Sequence, residues 1–152
     1  LLMESSKILK IKMKNKYNIL TNYVKDLSLE IPDPQALMTA RENIPKYKMK
    51  VDISSRALKD KIIEVITKLA YTDPTNNKNR ANFEIQYASI ISLDDNKIDP
   101  EELKKIILCD LQLEIYPMLE KLILDILKNS GFPKIKFEKK IDFENLYKKR
   151  IN

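Results

Sequence analysis

No histidine occurs in the sequence, and cysteine occurs once, as Cys109. Together these remove most of the chemistry that a side-chain constellation could perform. Without imidazole there is no commonest general base, no usual zinc ligand and no histidine-based triad. One thiol forms no intrachain disulfide, which fits a reducing compartment. A single glycine leaves no glycine-rich phosphate loop and no dinucleotide fingerprint. The carboxylates stand apart from any nucleophile. Glu101 and Glu102 follow Asp99-Pro100 as residues of a helix start, so capping accounts for them. The chain is therefore expected not to be an enzyme and to need no metal or cofactor. Complementary charge and apolar contact are what remain.

The formal charge is +6, and it is unevenly placed. Residues 1–16 carry five lysines against one glutamate, and residues 134–152 carry seven basic side chains against three acids. Each end therefore has a surplus of +4, and the stretch between them totals −2. A basic folded face for nucleic acid would place its charge differently, and solvated lysine-rich ends account for this pattern. A nucleic-acid-binding module working through those ends stays as an alternative. Its binding would be salt-sensitive and would disappear with residues 1–16 and 148–152.

These side chains are to be positioned by one domain, the size that 152 residues favour. With 43% hydrophobic and 33% charged residues the chain has a globular balance. No run of eighteen apolar residues occurs, so no stable membrane insertion is expected. Residues 1–16 lack the apolar stretch and cleavage site of a secretory signal and read as a flexible basic arm, with a strand possible from Leu9 to Met13. Because the chain begins with Leu1, Met3 and Met13 are candidate natural starts. A cytoplasmic location is expected.

Alternation predicts strands over residues 18–30, 48–55 and from Asn82 to Ser92. In the last, Phe83, Ile85, Tyr87 and Ile91 oppose Asn82, Glu84, Gln86 and Ser92. Residues 60–71 fit both a helical stripe and a strand face, and their β-branched density favours a strand. Between the first two strands, Pro32, Pro34 and Pro45 bracket a long connector with room for a short helix at Leu37 to Arg41. Asp73-Pro74-Thr75-Asn76-Asn77 is turn chemistry. Asp99 and Pro100 predict a helix to about Asp110. A second helix is expected from Tyr116, with Pro117 in its first turn. Ile135 and Phe137 suggest a short extended piece, and Asp142 caps a last helix through Tyr147. Strands first and helices afterwards predict an α+β fold, a four-stranded antiparallel sheet with C-terminal helices packed on one face.

The second of these helices is apolar over much of its circumference. Leu119, Leu122, Ile123, Ile126 and Leu127 form one stripe, which Met118 and Leu124 widen beyond the roughly 100° that a surface helix needs. Gly131 suits the left-handed residue that closes a helix, and Pro133 prevents its resumption. Burial on two sides is implied, one against the sheet and one against a second copy of the chain.

Three blocks resemble the bacterial SecB export-chaperone family. Tyr23-Val24-Lys25-Asp26-Leu27-Ser28-Leu29-Glu30-Ile31-Pro32 is similar to that family's opening strand. Phe83-Glu84-Ile85-Gln86-Tyr87 is similar to its Glu-Val-Gln strand. Gly131-Phe132-Pro133, with Asp142-Phe143-Glu144-Asn145-Leu146-Tyr147 after it, matches its Phe-Pro and following blocks at the same spacing. The order agrees over about residues 18–150. Ala88-Ser89 stands where the family usually has a Gly-Gly pair, and Tyr116-Pro117-Met118-Leu119-Glu120 replaces its Cys-Pro helix start.

The resemblance implies an ATP-independent chaperone that binds unfolded precursor proteins, keeps them translocation-competent and delivers them to the motor SecA. It implies a homotetramer, a dimer of dimers. Position by position, Asp26, Glu30 and Glu84 would receive the basic, zinc-holding tail of SecA. Phe83, Ile85 and Tyr87 match subunit-interface positions, to which the wide helix adds Leu119 and Ile123. A client groove would lie between the long connector and the last helix, with Leu37 and Met38 on one side and Phe143, Leu146 and Tyr147 on the other. A SecB-like chaperone dedicated to one antitoxin is the near alternative.

Overall fold

A computed structural model describes residues 16–75, 80–94 and 97–151. The proposed arm, its strand from Leu9 to Met13 and the end of the turn at Asn76-Asn77 lie outside the described residues. Strand β1 (Tyr17–Glu30) leads through helix α1 (Pro34–Asn43) and a single 3₁₀ turn (Ile44–Lys46) to β2 (Lys48–Lys59). Then follow β3 (Ile62–Thr72), β4 (Asn82–Leu93), α2 (Pro100–Lys105), α3 (Leu111–Lys128) and α4 (Phe143–Ile151). The strands form one antiparallel sheet in the order β1-β4-β3-β2. The expected α+β architecture is what the chain adopts, and the ambiguous stretch at 60–71 is a strand.

The ladder explains which residues meet the helices. Tyr71, Leu69, Thr67, Val65 and Ile63 of β3 pair with Phe83, Ile85, Tyr87, Ser89 and Ile91 of β4 without a slip. This face is packed by Leu111, Ile115, Leu119, Ile123 and Leu127, one stripe of α3, and all of these apolar side chains are buried. The opposite face of the sheet carries Glu84, Gln86, Lys68, Asp52 and Arg56, and Arg150 of α4 reaches Asp52 there at 4.0 Å. In β1 the pattern is interrupted twice, by bulges between Ile19 and Thr21 and between Val24 and Asp26. The second lets Val24 and Leu27, three residues apart, share one face while Lys25 and Asp26 turn to the other.

The helical region departs from expectation. Two helices with a break near Asp110 were expected, but Ile106–Asp110 is a widened π turn with helical backbone at both ends, so α2 runs on into α3. Pro117 therefore sits inside a helix and not in a first turn. Its missing N–H leaves the carbonyl of Leu113 without the usual intrahelical donor, and Leu113 is half exposed. The wide turn has a tie of its own. The Leu111 N–H donates to Ile106 O, and the buried Gln112 side chain donates from Nε2 to Ile107 O at 3.1 Å. Gln112 Oε1 accepts from Thr67 Oγ1 at 2.9 Å, from the middle of the sheet. One amide thus joins the helix to the centre of β3.

At the far end of α3, Gly131 takes φ +101°, as its helix-closing role requires. A Cβ there would lie 2.8 Å from Leu37 Cδ1, so the glycine also lets the connector helix α1 press against the end of α3. Asp33 caps α1 by accepting from Ala36 N at 2.8 Å, and Asp142 caps α4 by accepting from Asn145 N at 3.0 Å. Residues 134–141 form no strand, against the expected extended piece at Ile135 and Phe137.

Candidate functional site

Two surfaces stand out. The first is a cavity of about 900 Å3 between residues 44–49, which end the long connector and open β2, and residues 134–141, which cross from α3 to α4. Its wall is aromatic. Tyr47 and Tyr71 lie 5.2 Å apart between ring centroids, and Tyr71 and Phe137 lie 5.3 Å apart edge to face. The Tyr47 hydroxyl donates to Ala81 O at 2.8 Å, which fixes that ring. Burial pushes the Tyr47 phenol up to about 12 and the Tyr71 phenol upward as well, so both stay neutral. Met49, Ile135, Ile141 and Tyr116 add apolar surface, and Lys46, Lys48, Lys134, Lys136, Lys139 and Lys140 stand around it. Such a space suits extended chain bearing large side chains.

The residues expected to line a client groove sit differently. None of Leu37, Met38, Phe143, Leu146 and Tyr147 lines this cavity. Leu37 is occupied with Gly131, while Met38 is 53% and Leu146 is 38% exposed. Tyr147 is partly buried. Phe143 is fully buried, its ring 5.3 Å from that of Tyr116, so it anchors α4 and presents nothing to a ligand. Sequence reasoning passed over Tyr47, Tyr71 and Phe137. The signal for Tyr47 was its place two residues after Pro45, at the end of the connector.

The second surface is the open face of the sheet. Register sets Glu30 opposite Asn82, Ser28 opposite Glu84 and Asp26 opposite Gln86. Asp26, Glu30 and Glu84 therefore share one face and one corner. Glu84 also meets Lys68 at 3.3 Å, an exposed pair of small worth.

Farther along the same face lies a cluster with no counterpart in the sequence reading. Glu64 is buried, although it lies on the sheet face opposite α3. Its carboxylate accepts from Tyr23 Oη at 2.6 Å, Lys25 Nζ at 3.0 Å and Arg56 Nε at 3.1 Å. The lid over this acid is three long side chains from both edge strands. The Tyr23 hydroxyl above all, then Lys25, holds the Glu64 carboxyl below the usual carboxylate range, against the opposing pull of burial. A folded pKa below the unfolded one, roughly 4.3, contributes stability that is complete above that value and is lost as pH falls through the folded one. Glu64→Gln is expected to flatten the loss of stability on acidification below about pH 5, read from urea unfolding across a pH series. Equal slopes for the two proteins would show that Glu64 is not the titrating group.

Phe83, Ile85, Tyr87, Leu119 and Ile123, expected at a subunit interface, are all buried within the single chain, between α3 and the sheet. Exposed apolar side chains lie beside them instead: Leu20, Val24 and Leu27 on the edge strand β1, and Leu113 and Met118 on α3. Cys109 is buried and its thiol is pushed up by burial, with Asp110 adding to the effect, so it stays protonated and unreactive. No helix among the described residues is long and apolar enough to cross a membrane.

The family model for SecB, the preprotein translocase subunit, matches residues 10–152. The "Putative protein-export protein SecB" of Pelagibacter ubique (strain HTCC1062) is 48% identical over 140 residues, which span 92% of this chain and 100% of that protein. The protein-export protein SecB of Rhodospirillum centenum is 31% identical over 130 residues, 85% of this chain and 76% of that one. A solved SecB-like chaperone of Mycobacterium tuberculosis, in complex with a peptide from an antitoxin, has the same fold. Its TM-score is 0.60 at 11% identity, covering 90% of this chain and 99% of that chain. With the match running through the sheet, the connector and all the helices, this chain belongs to the SecB family of protein-export chaperones.

Proposed function

We propose that the chain is an ATP-independent holdase that keeps unfolded precursor proteins competent for translocation and passes them to SecA in the cytoplasm. The observation that carries this reading is the aromatic-walled cavity between residues 44–49 and 134–141, large enough for extended chain and bounded on one side by the 3₁₀ turn and the start of β2 and on the other by residues without regular structure. Met38 and Leu146, exposed on α1 and α4, are the proposed further apolar contacts for a client, with Leu37 and Tyr147 next to them in the chain. Several shallow contacts along one polypeptide add through high effective concentration.

Assembly into a tetramer, a dimer of dimers, multiplies those contacts. The edge of β1 supports it, for a fourteen-residue strand with exposed Leu20, Val24 and Leu27 is a template for pairing unless a second chain covers it. Leu113 and Met118 supply a second apolar surface on α3. The buried Phe83, Ile85, Tyr87, Leu119 and Ile123 then act as the rigid floor beneath both. Asp26, Glu30 and Glu84 on the open face are the proposed contact for SecA. A tetramer in solution, by light scattering, and slowed refolding of an unfolded secretory precursor at stoichiometric amounts are the expected results. Unhindered refolding with the tetramer present would sink the proposal.

A further inference from the structure

The lysines around the cavity do not follow from the need to bind apolar segments. Six of them, Lys46, Lys48, Lys134, Lys136, Lys139 and Lys140, line it against a single acid, Glu138. None is engaged in an ion pair or hydrogen bond among the described residues. Four of the seven basic side chains of residues 134–152 thus stand at one concavity and are not spread through solvent. Their positive field falls on the aromatic wall made by Tyr47, Tyr71 and Phe137. Like charges gathered beside a low-dielectric surface, six against the one carboxylate of Glu138, repel one another, and an anionic occupant relieves that repulsion.

We propose that this groove selects extended polypeptide segments that combine aromatic or large aliphatic side chains with aspartate or glutamate, and disfavours lysine- and arginine-rich ones. The inference rests on the holdase reading and names the client chemistry of the same site. The rings take the apolar side chains and the lysine rim takes the carboxylates. Because the rim is exposed, the preference is graded and screened by salt.

The test uses the full-length protein and two fluorescent, unstructured peptides with the same pattern of Phe and Leu. One carries Glu and the other Lys at the intervening positions. Anisotropy titrations are expected to show the acidic peptide bound about tenfold more tightly at low salt, with the gap closing as salt rises. Lys136→Glu/Lys139→Glu/Lys140→Glu is expected to reverse the order, and Phe137→Ala to weaken both peptides. Circular dichroism and oligomer size confirm that the variants are folded. Equal or tighter binding of the basic peptide, or an order that survives the triple reversal, overturns the selectivity alone if unfolded precursors are still held. If neither peptide binds and refolding of a precursor proceeds unhindered, the holdase reading fails and the inference fails with it.

Discussion

Gln112→Leu is expected to remove about 2–3 kcal/mol of stability, although it exchanges one buried side chain for another of similar size. The wild-type amide spans from Thr67 Oγ1 to Ile107 O, and both Thr67 and Gln112 are fully buried. Leucine leaves the threonine hydroxyl and the carbonyl of the wide turn with fewer partners in a place water does not reach. For a chain of this length the midpoint of thermal unfolding should fall by about 4–12 °C at fixed protein concentration. Thr67→Val alone should cost a comparable amount, and the double variant about as much as either single one, since the two mutations remove opposite ends of one contact. Additive losses in that cycle would mean that the Thr67–Gln112 bond contributes nothing and that packing alone is being measured.

The second large effect concerns charge on the open face. Asp26→Lys/Glu84→Lys is expected to weaken binding of purified SecA at least about tenfold, or ~1.4 kcal/mol. The proposed assembly and hold on unfolded clients should be unaffected. Asp26 is exposed, and Glu84 meets the part-exposed Lys68 in a surface ion pair, so reversal at these positions removes little from the fold. Steering by charge acts mainly on the association rate, so the defect should be largest at low salt in a surface-binding measurement. A variant that binds SecA as the wild type does at every salt concentration would place the contact elsewhere.

The parts of the fold written in simple periodicity were legible. The strict alternation through Phe83, Ile85 and Tyr87 gave β4, and β-branched density decided β3 where periodicity was neutral. Asp99 and Asp142 announced helix starts because capping is local chemistry. The wide turn at Ile106–Asp110 was not legible, since a π turn leaves no gap in an apolar stripe. Pro117 then read as a beginning only because the unbroken helix around it was not visible. The cavity was hidden for a different reason. Its aromatic wall joins Tyr47, Tyr71 and Phe137 from three separate regions, and only tertiary packing brings the rings of Tyr47 and Phe137 to 5.2 and 5.3 Å from that of Tyr71. Phe143 carries the same ring chemistry in an amphipathic helix, yet it is spent on holding α4 to Tyr116. Glu64 carries no local signal of its burial, because its partners lie on the two opposite edge strands.

The two bulges of β1 give this strand an unusual tolerance. A single-residue deletion in a paired strand normally turns every residue on one side of it to the wrong face. Here Leu20 and Lys25 are the supernumerary residues, and the ladder skips each of them. Loss of either one would join its neighbours into regular alternation without moving any other residue across the sheet. Leu20 is exposed, so its deletion would cost little within the single chain, whereas Lys25 would take one of three partners from Glu64. Length variation among related chains is thus permitted at two points inside a strand, where it would ordinarily be confined to loops.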